Sequence, residues 1–95
     1  MIRLDGKGEK LFIDDQDRLV AEWYDFGGGA AYEFADMLIF DDAAQSALAD
    51  ALGVGDVRGL PLASALAARF NRYYLIKEFV VKRGLPVEKE VDFSP

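Results

Sequence analysis

The chain contains no cysteine, no histidine and no threonine, and only three serines, Ser46, Ser64 and Ser94. Without cysteine there is no disulfide and no thiol chemistry. Zinc, copper and haem sites draw their ligands almost entirely from Cys and His, so neither a metal site nor a cofactor is expected. A Ser–His or Cys–His nucleophilic pair cannot be assembled. Carboxylates, Lys, Arg and Tyr are what remains for catalysis, and the expectation is a protein that is not an enzyme. Long apolar runs are missing as well: none approaches the ~18 residues of a membrane-crossing helix. The opening MIRLDGKGEKLF lacks the basic and apolar regions of a signal peptide. These absences predict a cytoplasmic protein without membrane contact.

What is present suffices for a core. Hydrophobic residues make up 52% of the 95 positions and aromatics 13%, enough for one domain spanning residues 1–95. The net charge of −6 is unevenly spread. Residues 1–56 carry 13 acids against 4 bases, and residues 57–95 carry 7 bases against 4 acids. An overall negative charge repels nucleic acid at long range, which argues against nucleic acid as a partner.

Ile2–Leu4 is a short apolar run ending in the turn signal Asp5-Gly6-Lys7-Gly8. Lys10–Asp14 and Arg18–Phe26 flank the polar Asp15-Gln16-Asp17 and read as a hairpin. Ala30–Phe40 is the longest strand candidate. At Asp41-Asp42 the period changes to a helical one, with Ala44, Ala47, Leu48, Ala51 and Leu52 on one face. Asp42 is the expected N-cap, Gln45 its capping-box partner, and Gly53 the C-terminal stop. A second helical segment runs from Leu62 to Arg83 behind Pro61, and either breaks near Asn71 or has its far end sandwiched. Pro86–Phe93 alternates, with Glu88, Glu90 and Asp92 facing outward as on an edge strand. The expected fold is α+β: an antiparallel β-meander of three or four strands, two helices and a C-terminal edge strand, in a two-layer sandwich.

The register of the first hairpin has two solutions. A three-residue turn sets Lys10 opposite Glu22 and Phe12 opposite Val20. A two-residue turn sets Glu9 against Glu22, a like-charge pair costing up to ~1 kcal/mol, so the first is preferred. In EWYDFGGGAAYEF, residues 22–34, the triplet Gly27–Gly29 reads as a hairpin tip. A phosphate-cradling loop would need a helix after it, whereas the residues beyond the triplet are strand-like, with Asp25 and Glu33 flanking. The tip then pairs Tyr24 with Tyr32, Glu22 with Phe34 and Val20 with Asp36. This register predicts an aromatic sheet face of Phe12, Tyr24, Phe26, Tyr32 and Phe34 that one helical layer cannot cover. It is the expected protein-binding surface.

The same register sets Glu22 and Asp36 diagonally on that face, the best placed acid/base or ligand-binding pair in the chain. Asp14-Asp15-Gln16-Asp17 lacks the glycine and terminal glutamate of a calcium loop, and GVGDVRG follows a helix instead of a strand, unlike a dinucleotide fingerprint. Arg69, Arg72 and Arg83, interleaved with Tyr73, Tyr74 and Phe79, give a fainter nucleic-acid reading, against internal pairing with the acidic sheet. The expectation is an interaction domain of inhibitor, immunity or adaptor type that binds a protein partner or itself. A small-ligand or weak acid/base site at Glu22 and Asp36 is the alternative.

Overall fold

The computed structural model describes residues 1–25 and 33–94. Strands β1 (Ile2–Arg3), β2 (Glu9–Ile13), β3 (Leu19–Asp25) and β4 (Glu33–Phe40) are followed by helices α1 (Asp42–Leu52), α2 (Gly59–Arg69) and α3 (Tyr73–Arg83), then strand β5 (Glu88–Ser94). The five strands form one sheet in the order β1-β2-β3-β4-β5, with every neighbouring pair antiparallel. The protein is thus an α+β fold with a four-strand meander and a C-terminal edge strand, as its sequence predicts.

The β2–β3 hairpin takes the expected three-residue turn. Lys10 stands opposite Glu22, Phe12 opposite Val20 and Ile13 opposite Leu19. The Asp14 carboxylate shapes the turn by accepting from the Gln16 and Arg18 amides, each at 2.9 Å, and from Arg18 Nε at 2.8 Å. Asp17 completes the reversal with φ of 59°, a left-handed conformation that aspartate tolerates better than most residues.

The β3–β4 register differs from the predicted one. Glu22 stands opposite Met37, three positions further along β4 than Phe34, and Val20 stands opposite Ile39 instead of Asp36. Because side chains alternate, an odd slip turns the whole of β4 over. Leu38 and Phe40 therefore join Leu11, Leu19 and Ala21 beneath the helices, and Ala35, Met37 and Ile39 go to the other side. The predicted pairing of Tyr24 with Tyr32 is overturned by the same slip, since Tyr24 stands opposite Ala35, and the glycine triplet lies within residues 26–32, outside the described residues.

All three helices contribute to a single core. Ala44, Leu48 and Ala49 of α1, Leu62, Ala63 and Leu66 of α2, and Tyr73, Ile76 and Val80 of α3 are buried against Leu11, Leu19, Leu38 and Phe40. Full burial of a Leu- or Phe-sized side chain stabilises by roughly 1.5–3 kcal/mol, so these positions dominate the packing energy. The N-cap of α1 is Asp41, not Asp42: its carboxylate accepts from the Ala44 amide at 2.9 Å. The buried stripe is rotated accordingly, taking in Gln45 and Ala49 where Ala47 and Ala51 were expected.

Gln45 is not a capping-box partner. It is 2% exposed, donates to the carbonyls of Asp17 and Phe40 at 3.1 Å each, and accepts from the Gly59 amide at 2.9 Å. One carboxamide thus joins the β2–β3 turn, the end of β4 and the start of α2. The long helical segment breaks at Phe70-Asn71-Arg72 into α2 and α3, and Gly84 ends α3 with φ of 62°.

Candidate functional site

The helices occupy one side of the sheet, so the side chains on its other side meet no helix. By register that open face carries Lys10 and Phe12 from β2, Val20, Glu22 and Tyr24 from β3, Ala35, Met37 and Ile39 from β4, and Glu88, Glu90 and Asp92 from β5. Val20 and Ile39 sit cross-strand at its centre and are buried, ringed by half-buried Phe12 and Met37. Lys10 pairs with Glu22 at 3.4 Å and also lies over the Phe12 ring, 5.3 Å from its centroid. Arg18 binds Asp14 at 2.8 Å and reaches Glu88 at 3.6 Å. The face thus has an apolar middle and a charged rim, most acidic along β5.

Of the predicted protein-binding residues, Phe12 and Tyr24 are on this face. Phe26 and Tyr32 lie outside the described residues. Phe34 is on the opposite side, edge-on to Trp23 with ring centroids 5.7 Å apart. Beside Val20, which the predicted register already set on this face, Met37 and Ile39 of β4 take its place in the surface. The sequence signal for them was present in the alternation of β4, but the register fixed on the glycine triplet assigned it to the wrong side.

Glu22 and Asp36 are not neighbours. Glu22 is on the open face, and Asp36, opposite Trp23, points toward α3. There Asp36 Oδ2 accepts from the Tyr73 hydroxyl and from Lys77 Nζ, each at 2.8 Å. A carboxylate pair split across a sheet cannot serve one substrate, so the geometric basis for joint acid/base work is missing. Burial, then the hydrogen bond to Asp36, pushes the Tyr73 hydroxyl well above the ordinary tyrosine range, leaving a neutral phenol. Lys77, whose side chain is still 42% exposed, brings its ammonium group down onto this buried carboxylate.

A second internal carboxylate organises the start of α3. Glu9 is 7% exposed and accepts from the Tyr73 amide at 2.6 Å and from Arg72 at 3.1 Å. No local side chain caps α3, so this strand residue supplies the acceptor for its first turn. Asp5 and Asn71 fasten the same corner, through an amide–carbonyl bond of 2.9 Å and a side-chain bond of 2.7 Å. Gly8, at φ of 75°, lets the turn approach β3: a Cβ there would collide with the Tyr24 carbonyl oxygen. Beside these groups a cavity of about 250 Å³ is lined by Glu9, Trp23, Arg72, Tyr73 and Tyr74. Of its polar groups, Glu9 is engaged by Arg72 and the Tyr73 amide, and the Tyr73 hydroxyl by Asp36.

The three arginines of the basic segment have separate environments. Arg72 pairs with Glu9, whereas Arg69 lies over Phe70 and Arg83 over Phe79, at 5.7 and 5.1 Å from the ring centroids. The two phenyl rings are 5.0 Å apart, so both are engaged within the α2–α3 corner. Among the described residues no group of three or more acidic side chains is placed to hold a metal ion, and no helix is long and apolar enough to cross a membrane. No protein-family model, curated protein or solved structure matches the chain.

Proposed function

We propose that the protein is a non-enzymatic interaction domain, of inhibitor, immunity or adaptor type, that binds a partner protein through the open face of its sheet. The observation that carries this reading is the placement of all three helices on one side of the sheet. Half-buried Phe12, Tyr24 and Met37 are the accessible apolar groups of a face that no helix covers, lying over Val20 and Ile39, which are themselves only 3% and 5% exposed. An apolar centre enclosed by a polar rim is the usual anatomy of a protein–protein contact. The separation of Glu22 from Asp36, and the saturation of Asp36 by Tyr73 and Lys77, support a binding role over a chemical one. A cytoplasmic setting belongs to the proposal and rests on the cysteine-free composition.

The test compares the parent with Phe12→Ser and Met37→Ser variants whose folding is verified by circular dichroism. Sedimentation velocity over a concentration series reports self-association, and in-cell cross-linking reports partners. Loss of the same cross-linked species from both folded variants is the expected result. Retention of every species, with unchanged sedimentation, refutes the open face as the contact surface.

A further inference from the structure

β5 ends the sheet and is paired on one side only, with β4. Its outer edge presents the main-chain N–H and C=O groups of a seven-residue strand, and no other strand among the described residues meets them. The opposite edge, β1, is two residues long and offers almost no ladder. Glu88–Ser94 contains neither proline nor glycine, the residues that would spoil strand addition. The backbone of β5 is thus competent to accept another strand.

Its side chains define what that strand must carry. Glu88, Glu90 and Asp92 project from the open side, and Lys89 and Val91 from the helix side, with Val91 58% exposed. Glu88 has only the 3.6 Å contact with Arg18, and Glu90 and Asp92 form no ion pair among the described residues. A second copy of the chain is a poor occupant. A two-fold antiparallel dimer through β5 must place residues of equal parity opposite one another. Setting Val91 against its own copy, for example, puts Glu90 against Asp92 twice, and each such like-charge pair is unfavourable. The acids that reject a copy favour a segment of opposite charge.

We infer that the outer edge of β5 binds an extended segment of another protein by strand addition. That segment carries Lys or Arg at alternate positions over Glu88, Glu90 and Asp92, and an apolar side chain against Val91. Main-chain hydrogen bonds supply the attachment and the alternating pattern supplies the selectivity, as in other strand-addition complexes. The inference goes beyond the open-face reading, because the rim of the sheet and not its apolar centre carries it.

The probe is a seven-residue peptide of alternating lysine and valine, compared with a peptide of the same composition whose lysines are contiguous, and with an alternating glutamate–valine peptide. Affinity and residue-resolved amide exchange are measured on the full chain. The alternating lysine peptide is expected to bind at least tenfold tighter than either control and to slow exchange of the outward amides of residues 88–94. Glu90→Lys should weaken it several-fold, and the Glu88→Lys/Glu90→Lys/Asp92→Lys variant should prefer the glutamate peptide. Phe12→Ser should leave this binding unchanged, which separates it from contact through the open face. Equal binding of the two lysine peptides, protection that maps away from β5, or Glu90→Lys binding as well as the parent would overturn the inference. So would a dimer of the free protein joined through β5.

Discussion

The Tyr73 hydroxyl donates to Asp36 Oδ2 at 2.8 Å across the sheet–helix boundary, and Lys77 Nζ meets the same oxygen at 2.8 Å. One turn of helix separates Tyr73 from Lys77, so both reach the same carboxylate from a single face of α3. The two donors fix where α3 sits along β4. Asp36 can be buried among apolar neighbours because both contacts satisfy it.

Replacing Tyr73 with Phe is therefore expected to cost roughly 1.5–3 kcal/mol, the range for a hydrogen bond to a charged group. Urea unfolding at neutral pH measures it through a lower midpoint with an unchanged slope. The difference has a pH dependence of known sign. The folded state holds the Tyr73 proton above the ordinary value of 10.0, whereas the unfolded chain releases it near that value. The contribution of Tyr73 is complete below pH 10 and is lost as the pH rises beyond it, so the gap between parent and Tyr73→Phe should narrow in alkali.

Glu9 acts as a cap supplied from another element. Glu9→Ala leaves the Tyr73 amide and Arg72 without their acceptor and should destabilise by about 1–3 kcal/mol. Glu9→Gln keeps an acceptor and should cost less. Amide exchange distinguishes a cap from general packing: the Tyr73 amide should lose protection first, ahead of Ile76 and Val80.

Gln45 satisfies two carbonyls and one amide in a site with almost no solvent. Gln45→Glu turns the two donor bonds into repulsive contacts and should lose at least about 2 kcal/mol at neutral pH. The introduced carboxyl is better tolerated when protonated, so folding raises its pKa. Stability should recover as the pH falls through that raised value. A chemical melt of Gln45→Glu at two pH values checks this against Gln45→Ala, which has no titrating group and should show no comparable recovery.

The legible parts of the fold are those encoded locally. The three-residue β2–β3 turn follows from the opposed charges of Lys10 and Glu22, and the observed register agrees. Gly53 and Gly84 end their helices with φ of 68° and 62°, as punctuation read from the sequence predicts. The β3–β4 register was not legible because both faces of β4 are apolar. Leu38 and Phe40 compete with Met37 and Ile39 for the core, and the pattern alone does not choose between them. The acid in the core strand decides it. Asp36 belongs with Tyr73 and Lys77, residues brought to it by the tertiary fold, and no local spacing encodes that meeting. The remote cap at Glu9 was hidden for the same reason.

The connection of β5 to β4 has a consequence for the order of assembly. A chain made from its N-terminus completes β4 well before Glu88 emerges, because all three helices intervene. Until then the main-chain groups that β4 will share with β5 have no partner, and they flank the apolar run Leu38-Ile39-Phe40. The nascent molecule thus passes through a stage in which the strand that becomes internal is an open edge. Closure of that strand by β5 follows synthesis of all three helices, and until then its unpaired edge is open to misassembly.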